Sequence, residues 1–103
     1  MDPIRSVYES DPDMVDLIRS FARELPNRAE VVEDLLSKGE MEELRSLAHQ
    51  LKGAGGGYGF PIVTERAASL EHAIKQGESE SLVKELTTAL CEVLRAVHAP
   101  EEG

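Results

Sequence analysis

A single cysteine, Cys91, denies this chain an internal disulfide, which suits a reducing compartment. Tryptophan is absent, and tyrosine and phenylalanine contribute two residues each, while leucine, alanine and glutamate abound. That balance disfavours strands and favours helices. Basic residues are outnumbered 20 to 11, a formal net charge of −9, which excludes nucleic acid as a natural partner because phosphate backbones demand a cationic surface. No apolar run approaches the ~20 residues of a membrane span. Met1-Asp2-Pro3 lacks the basic start and apolar core of a signal peptide. Strand-like alternation, internal repeats and low-complexity tracts are missing as well. Together these absences lead us to expect a soluble, cytoplasmic protein, monomeric, without a metal or cofactor of its own. Its 103 residues suffice for one domain, 1–103, with one modest core.

Four helical stretches are present. Residues 1–10 form a lead in which Ile4, Val7 and Tyr8 have the spacing of one helical turn across the end of a bundle. Asp11-Pro12-Asp13 then suits a helix start, with Asp11 as N-cap and Pro12 in the first turn. Met14, Ile18, Phe21, Leu25, Ala29, Val32 and Leu36 make an apolar stripe up to Gly39. The stripe keeps its phase across Pro26, so a kink is expected there rather than a break. A second helix starts near Glu40, and a third runs from Pro61 to Gln76 with Ile62, Ala67, Leu70 and Ile74, or near neighbours, facing inward. A fourth is capped by Ser79 or Ser81 and carries Leu82, Leu86, Leu90, Val93 and Val97. Cys91 falls off that stripe. Residues 100–103 are expected to fray. Short connections predict an all-α fold: an antiparallel up-down four-helix bundle with a short N-terminal capping segment.

The second helix carries the chemistry. At ~100° per residue, Leu44, Leu47, Ala48, Leu51, Gly55 and Tyr58 share one side. His49 projects roughly 120° from the middle of that stripe, beside Arg45, Lys52, Gly53 and Gly56. Histidine on a wet face with a cation one turn away can act as a nucleophile, because its imidazole ordinarily titrates near neutrality. Lys52 can offset the charge of an incoming anion. Glycine inside a helix costs about 0.8–1 kcal/mol each against alanine, so Gly53, Gly55, Gly56 and Gly57 sacrifice roughly 3 kcal/mol. Close approach explains the sacrifice: by a partner molecule at Gly53 and Gly56, by a neighbouring helix at Gly55. The glycines do not make a nucleotide loop, since they follow a helix and lack the Gly-Lys-Ser/Thr ending. Glu42 and Arg45 share the His49 side and are candidates for a docking surface, although solvated charge explains them equally well. His72 and His98 have no suitable companions and read as surface residues.

His49-Gln50-Leu51-Lys52-Gly53, with Gly59 six positions beyond Gly53, resembles the His-x-Leu-Lys-Gly signature of histidine-containing phosphotransfer (HPt) domains. The similarity extends through Phe60 to Leu70-Glu71. Tyr58-Gly59-Phe60 is also similar to the phosphoryl-accepting N-terminal domain of chemotaxis histidine kinases. The resemblance implies a phosphoryl carrier of a two-component phosphorelay, not an enzyme by itself. His49 would accept a phosphoryl group from a receiver aspartate and pass it to another receiver. The receiver, or a histidine kinase, would bring the Mg²⁺ and most catalytic groups. The alternatives are a phosphoryl-accepting domain cut from a chemotaxis-type kinase and a helical interaction domain whose histidine is incidental. The start at Met1 favours a free-standing protein.

Hairpin geometry adds Glu71. If the second and third helices are antiparallel about a turn near Phe60, residues whose numbers sum to about 120 lie at one height, and His49 with Glu71 meets that condition. Glu71 follows the inward-facing Leu70 and can reach across the edge of the helix pair. The chemotaxis-kinase domains place a glutamate at the matching position, bonded to the imidazole. We therefore expect Glu71 to orient the ring by accepting a hydrogen bond from Nδ1–H, leaving Nε2 as the nucleophile.

Overall fold

Glycine in the left-handed region ends three of the four helices and turns the chain back each time. The computed structural model describes residues 1–101 and comprises α1 (Val15–Ser37), α2 (Met41–Gly57), α3 (Pro61–Lys75) and α4 (Glu80–Ala96). Gly39, Gly59 and Gly77 have φ of 71°, 83° and 65°. After α2, the Gly59 N–H donates to the Gly56 carbonyl (3.2 Å) and the Phe60 N–H to the Gly55 carbonyl (2.7 Å), and equivalent pairs close the ends of α1 and α3. This pair of hydrogen bonds satisfies the last carbonyls of the helix and reverses the chain within a few residues. Consecutive helices are therefore antiparallel.

The result is the expected all-α four-helix bundle. Each helix packs against its neighbours in chain order, and α4 closes back on α1. Ile18, Leu25, Ala29 and Val32 of α1 meet Leu44, Ala48 and Leu51 of α2, Val63, Ala67 and Leu70 of α3, and Leu90, Val93 and Leu94 of α4 in one buried cluster. Phe60 sits fully buried in the α2–α3 turn. Above it Phe21 stacks on Tyr58 with ring centroids 4.4 Å apart, tying α1 to the same end of the bundle.

Several local expectations are corrected. The lead is not a helical turn. Ile4 pairs with the chain beyond α4, its N–H donating to the Ala96 carbonyl (2.8 Å) and its carbonyl accepting from the His98 N–H (2.7 Å). Ser6 is buried and donates to the Tyr58 carbonyl (2.6 Å), while Val7 and Tyr8 stay exposed. The lead was short of partners for its own backbone, and the ends of α2 and α4 supply them. Helix α1 begins at Val15, because Asp11 caps a preceding turn through Oδ1 and the Asp13 N–H (2.9 Å). It passes Pro26 without a break.

The inward face of α4 is rotated from the expected stripe: Val83, Thr87, Leu90, Cys91, Val93 and Leu94 are buried. Helix α4 touches both α1 and α3, so its apolar face is broad and takes in Cys91, whose thiol donates to the Ala29 carbonyl at 3.6 Å. Burial pushes that thiol up to about 11. Ser79, one of the two expected caps, accepts from the Leu82 N–H (3.2 Å). Of the tail expected to fray, Pro100 and Glu101 are held by Arg19, which donates to their carbonyls at 2.7 and 2.8 Å; Glu102 and Gly103 lie outside the described residues. His98 is also more than a surface residue, half-buried with Nε2 3.7 Å from Glu9.

The glycines of α2 divide by surroundings. A Cβ at Gly55 would lie 2.9 Å from Val63 Cβ and from Thr64 Oγ1, so α3 occupies the space a side chain would need. A Cβ at Gly53 would meet nothing within 4 Å. Gly55→Ala should therefore destabilise the bundle by about 1–3 kcal/mol through overpacking. Gly53→Ala should stabilise it by about 0.5–1 kcal/mol through helix propensity and unfolded-state entropy. Urea unfolding of the two variants against the wild type checks the opposite signs.

Candidate functional site

The α2–α3 pair makes the site, and it is the most extensive helix pair in the molecule. With glycine at position 55 the two backbones approach closely, and the Thr64 hydroxyl of α3 donates to the Lys52 carbonyl of α2 at 2.7 Å. That bond fixes the height of α2 against α3 just where His49 and Lys52 leave the helix. Register then brings His49 opposite Glu71, and Nδ1 lies 2.8 Å from Glu71 Oε2. Glu71 is buried at the helix seam, its side chain 4% exposed, whereas the His49 side chain is 62% exposed. Among the described residues Nε2 of His49 has no hydrogen-bond partner.

The Glu71 carboxylate is saturated with cations and donors. Lys52 Nζ stands 2.6 Å from Oε1, and Lys75 Nζ stands 3.4 Å from Oε2. Lys52 is the largest influence holding the carboxyl down, from an ordinary 4.5 to about 2, against the desolvation that would raise it; the His49 bond and the charge of Lys75 add to the lowering. An ionised carboxylate can only accept, so the 2.8 Å contact requires the proton on Nδ1 of His49. In the neutral ring Nε2 then carries the free lone pair, on a side chain that is mostly exposed.

The remaining sequence candidates fall around this centre. Gly53 and Gly56 are exposed beside His49, although a Cβ at Gly56 would lie 3.4 Å from Thr64 Oγ1, so α3 as well as open surface borders it. Glu42 and Arg45 pair with each other through two bonds, Nε to Oε1 at 2.9 Å and Nη2 to Oε2 at 3.1 Å. His72 is exposed and takes no part in the site. Among the described residues no cluster of three or more His, Cys, Asp or Glu could hold a metal ion, and no helix is long and apolar enough to cross a membrane. Lys75 and Thr64 join the site without being among the sequence candidates. Lys75 was discoverable at i+4 from Glu71, and Thr64 from the same hairpin register that selects Glu71.

The depressed Glu71 carboxyl has a consequence for stability. A group whose pKa falls on folding stabilises the fold fully above its ordinary value and loses that contribution as pH falls through the folded value. The contribution of the Glu71 carboxyl to the stability difference between wild type and Glu71→Gln should therefore be fully present above the ordinary 4.5 and should shift against the wild type as pH falls from there toward about 2. Denaturant unfolding of both proteins across that range measures it.

Comparison of the chain with curated proteins and with solved structures found no match. A family model described as Hpt domain matches residues 16–99, which includes the whole α2–α3 site. With an exposed histidine on a four-helix bundle and a match over most of its length, the chain belongs to the Hpt domain family, the phosphocarriers of histidine phosphotransfer in phosphorelays.

Proposed function

We propose that His49 is the phosphoacceptor, taking a phosphoryl group from the aspartate of one receiver domain and passing it to another. The observation that carries this reading is the 2.8 Å contact between His49 Nδ1 and an ionised, buried Glu71, on a ring otherwise open to solvent. The Nε2 lone pair attacks phosphorus, the P–O bond to the receiver's aspartate breaks, and its electron pair leaves with the carboxylate. Nδ1 keeps its proton, so the phosphorylated ring is cationic and stands against the negative Glu71. A carboxylate at this place thus orients the ring before transfer and balances its charge afterwards. Lys52, one turn from His49, is the cation we assign to the incoming phosphoryl group, which brings a charge of roughly −2. Onward transfer is the same step reversed against a second aspartate, and the remaining catalytic groups come from the receiver.

The bare surface at Gly53 and Gly56 gives a receiver room to bring its aspartate to Nε2, with the Glu42–Arg45 pair at the rim of the contact. A phosphorylated receiver and an ATP-loaded histidine kinase are the two donors to compare. The kinase arm tests the chemotaxis-type reading, to which the His49–Glu71 pair also lends support.

His49→Gln should abolish acid-labile, base-stable labelling by the active donor while altering stability by under about 0.5 kcal/mol, because the side chain is mostly outside the core. Label that persists would move the acceptor to another residue. Gly53→Leu should leave the bundle folded yet slow transfer at least tenfold, about 1.4 kcal/mol of activation free energy, by obstructing the receiver. Stopped-flow or quench-flow transfer rates measure that loss, and an unchanged rate would remove the clearance role.

A further inference from the structure

Glu71 has a third partner that the reaction above leaves unused. Lys75, one turn along α3, brings Nζ to 3.4 Å from Oε2, the oxygen already engaged by His49, while Lys52 holds Oε1 at 2.6 Å. We propose that Lys75 is a positioning residue of the phosphotransfer site, keeping Glu71 charge-balanced when Lys52 turns from that carboxylate to the phosphoryl group. The inference rests on the reading of His49 as phosphoacceptor.

Two anions compete for one ammonium group. Lys52 is the cation placed one turn from His49 for the phosphoryl group, yet in the unmodified protein it is bound to Glu71. Its ammonium has three donors but a single charge, so what it gives the phosphoryl group it takes in part from Glu71, and both anions are present during transfer. While the phosphoryl group approaches, the N–P bond has not formed and the ring is still neutral. Were Lys75 absent, a departing Lys52 would then leave a carboxylate, 4% exposed, with a neutral N–H donor alone. An under-compensated buried charge is costly, so without a second cation Glu71 would hold Lys52 back. Lys75 supplies that cation. Its side chain is 52% exposed and its contact is longer, which leaves the flexible stem free to tighten onto Oε2 as Lys52 departs. Because Lys75 is anchored on α3 and Lys52 on α2, the two ammonium groups approach the carboxylate from different helices and do not have to exchange places.

An ordinary i,i+4 surface pair would stabilise the helix slightly and leave the transfer rate alone. A lysine that touched the phosphoryl group or the receiver directly would act whether or not Glu71 were charged. Single-turnover phosphorylation by a saturating phosphorylated receiver domain separates these cases. Lys75→Ala should slow the wild-type rate by about three- to tenfold, Lys75→Arg should restore most of it, and Lys75→Ala should add nothing to Glu71→Gln, where no charge remains to balance. An unchanged rate in Lys75→Ala would overturn the proposal, as would the same fold-loss in the Glu71→Gln background. Should Glu71→Gln unfold, the rescue by arginine decides: equal loss in Lys75→Arg and Lys75→Ala overturns it. Labelling that survives His49→Gln would instead refute the phosphoacceptor reading, and the proposal with it.

Discussion

The Glu71 carboxylate is the point on which the candidate site turns. It lies at the seam between α2 and α3, almost wholly out of water, and stays ionised because Lys52, His49 and Lys75 surround it. A buried charge of this kind is weak evidence for stability, since desolvation offsets much of the attraction. Its value is in specification. An acceptor-only group at 2.8 Å decides which nitrogen of His49 carries the proton, and so which nitrogen keeps its lone pair.

That carboxylate can do its work only if two helices keep register to a fraction of a turn. Gly55 lets α3 come close enough that a Cβ would collide with Val63, and the Thr64 hydroxyl bonds the Lys52 carbonyl across the gap. The turn between the helices is fixed by Gly59 and by fully buried Phe60. The lead then straps the turn from outside, Ser6 donating to the Tyr58 carbonyl and the Val7 N–H to the Gly59 carbonyl at 2.9 Å. Local choices at the bottom of the hairpin therefore set the distance at its functional height, some way along the helices. The same consistency across levels is what allows a short chain with few aromatics to hold a single arrangement.

Much of the architecture was legible. Periodicity located all four helices, Gly39 and Gly77 marked two of the turns, and Ser79 was among the candidate caps, because these features depend on residues near one another in sequence. The misreadings share a different cause. Cys91 looked outward until α1 and α3 both claimed the face of α4, and Ile4 looked helical until the chain after α4 offered backbone partners. In each case a distant segment supplied the deciding contact, and tertiary burial overrode the local pattern.

The candidate site divides along the same line. The outward phase of His49, its spacing to Lys52 and the missing side chains around it are properties of one helix, and the 3.6-residue period settles them without any neighbour. Hairpin symmetry even brought Glu71 to the correct height, because a short glycine turn leaves an antiparallel pair few registers. What required three dimensions was the environment of that carboxylate: its burial and its sharing among three partners. Those depend on how near α3 lies to α2, a distance governed by packing at Gly55 and Thr64, and no single helix can encode the field that two make together.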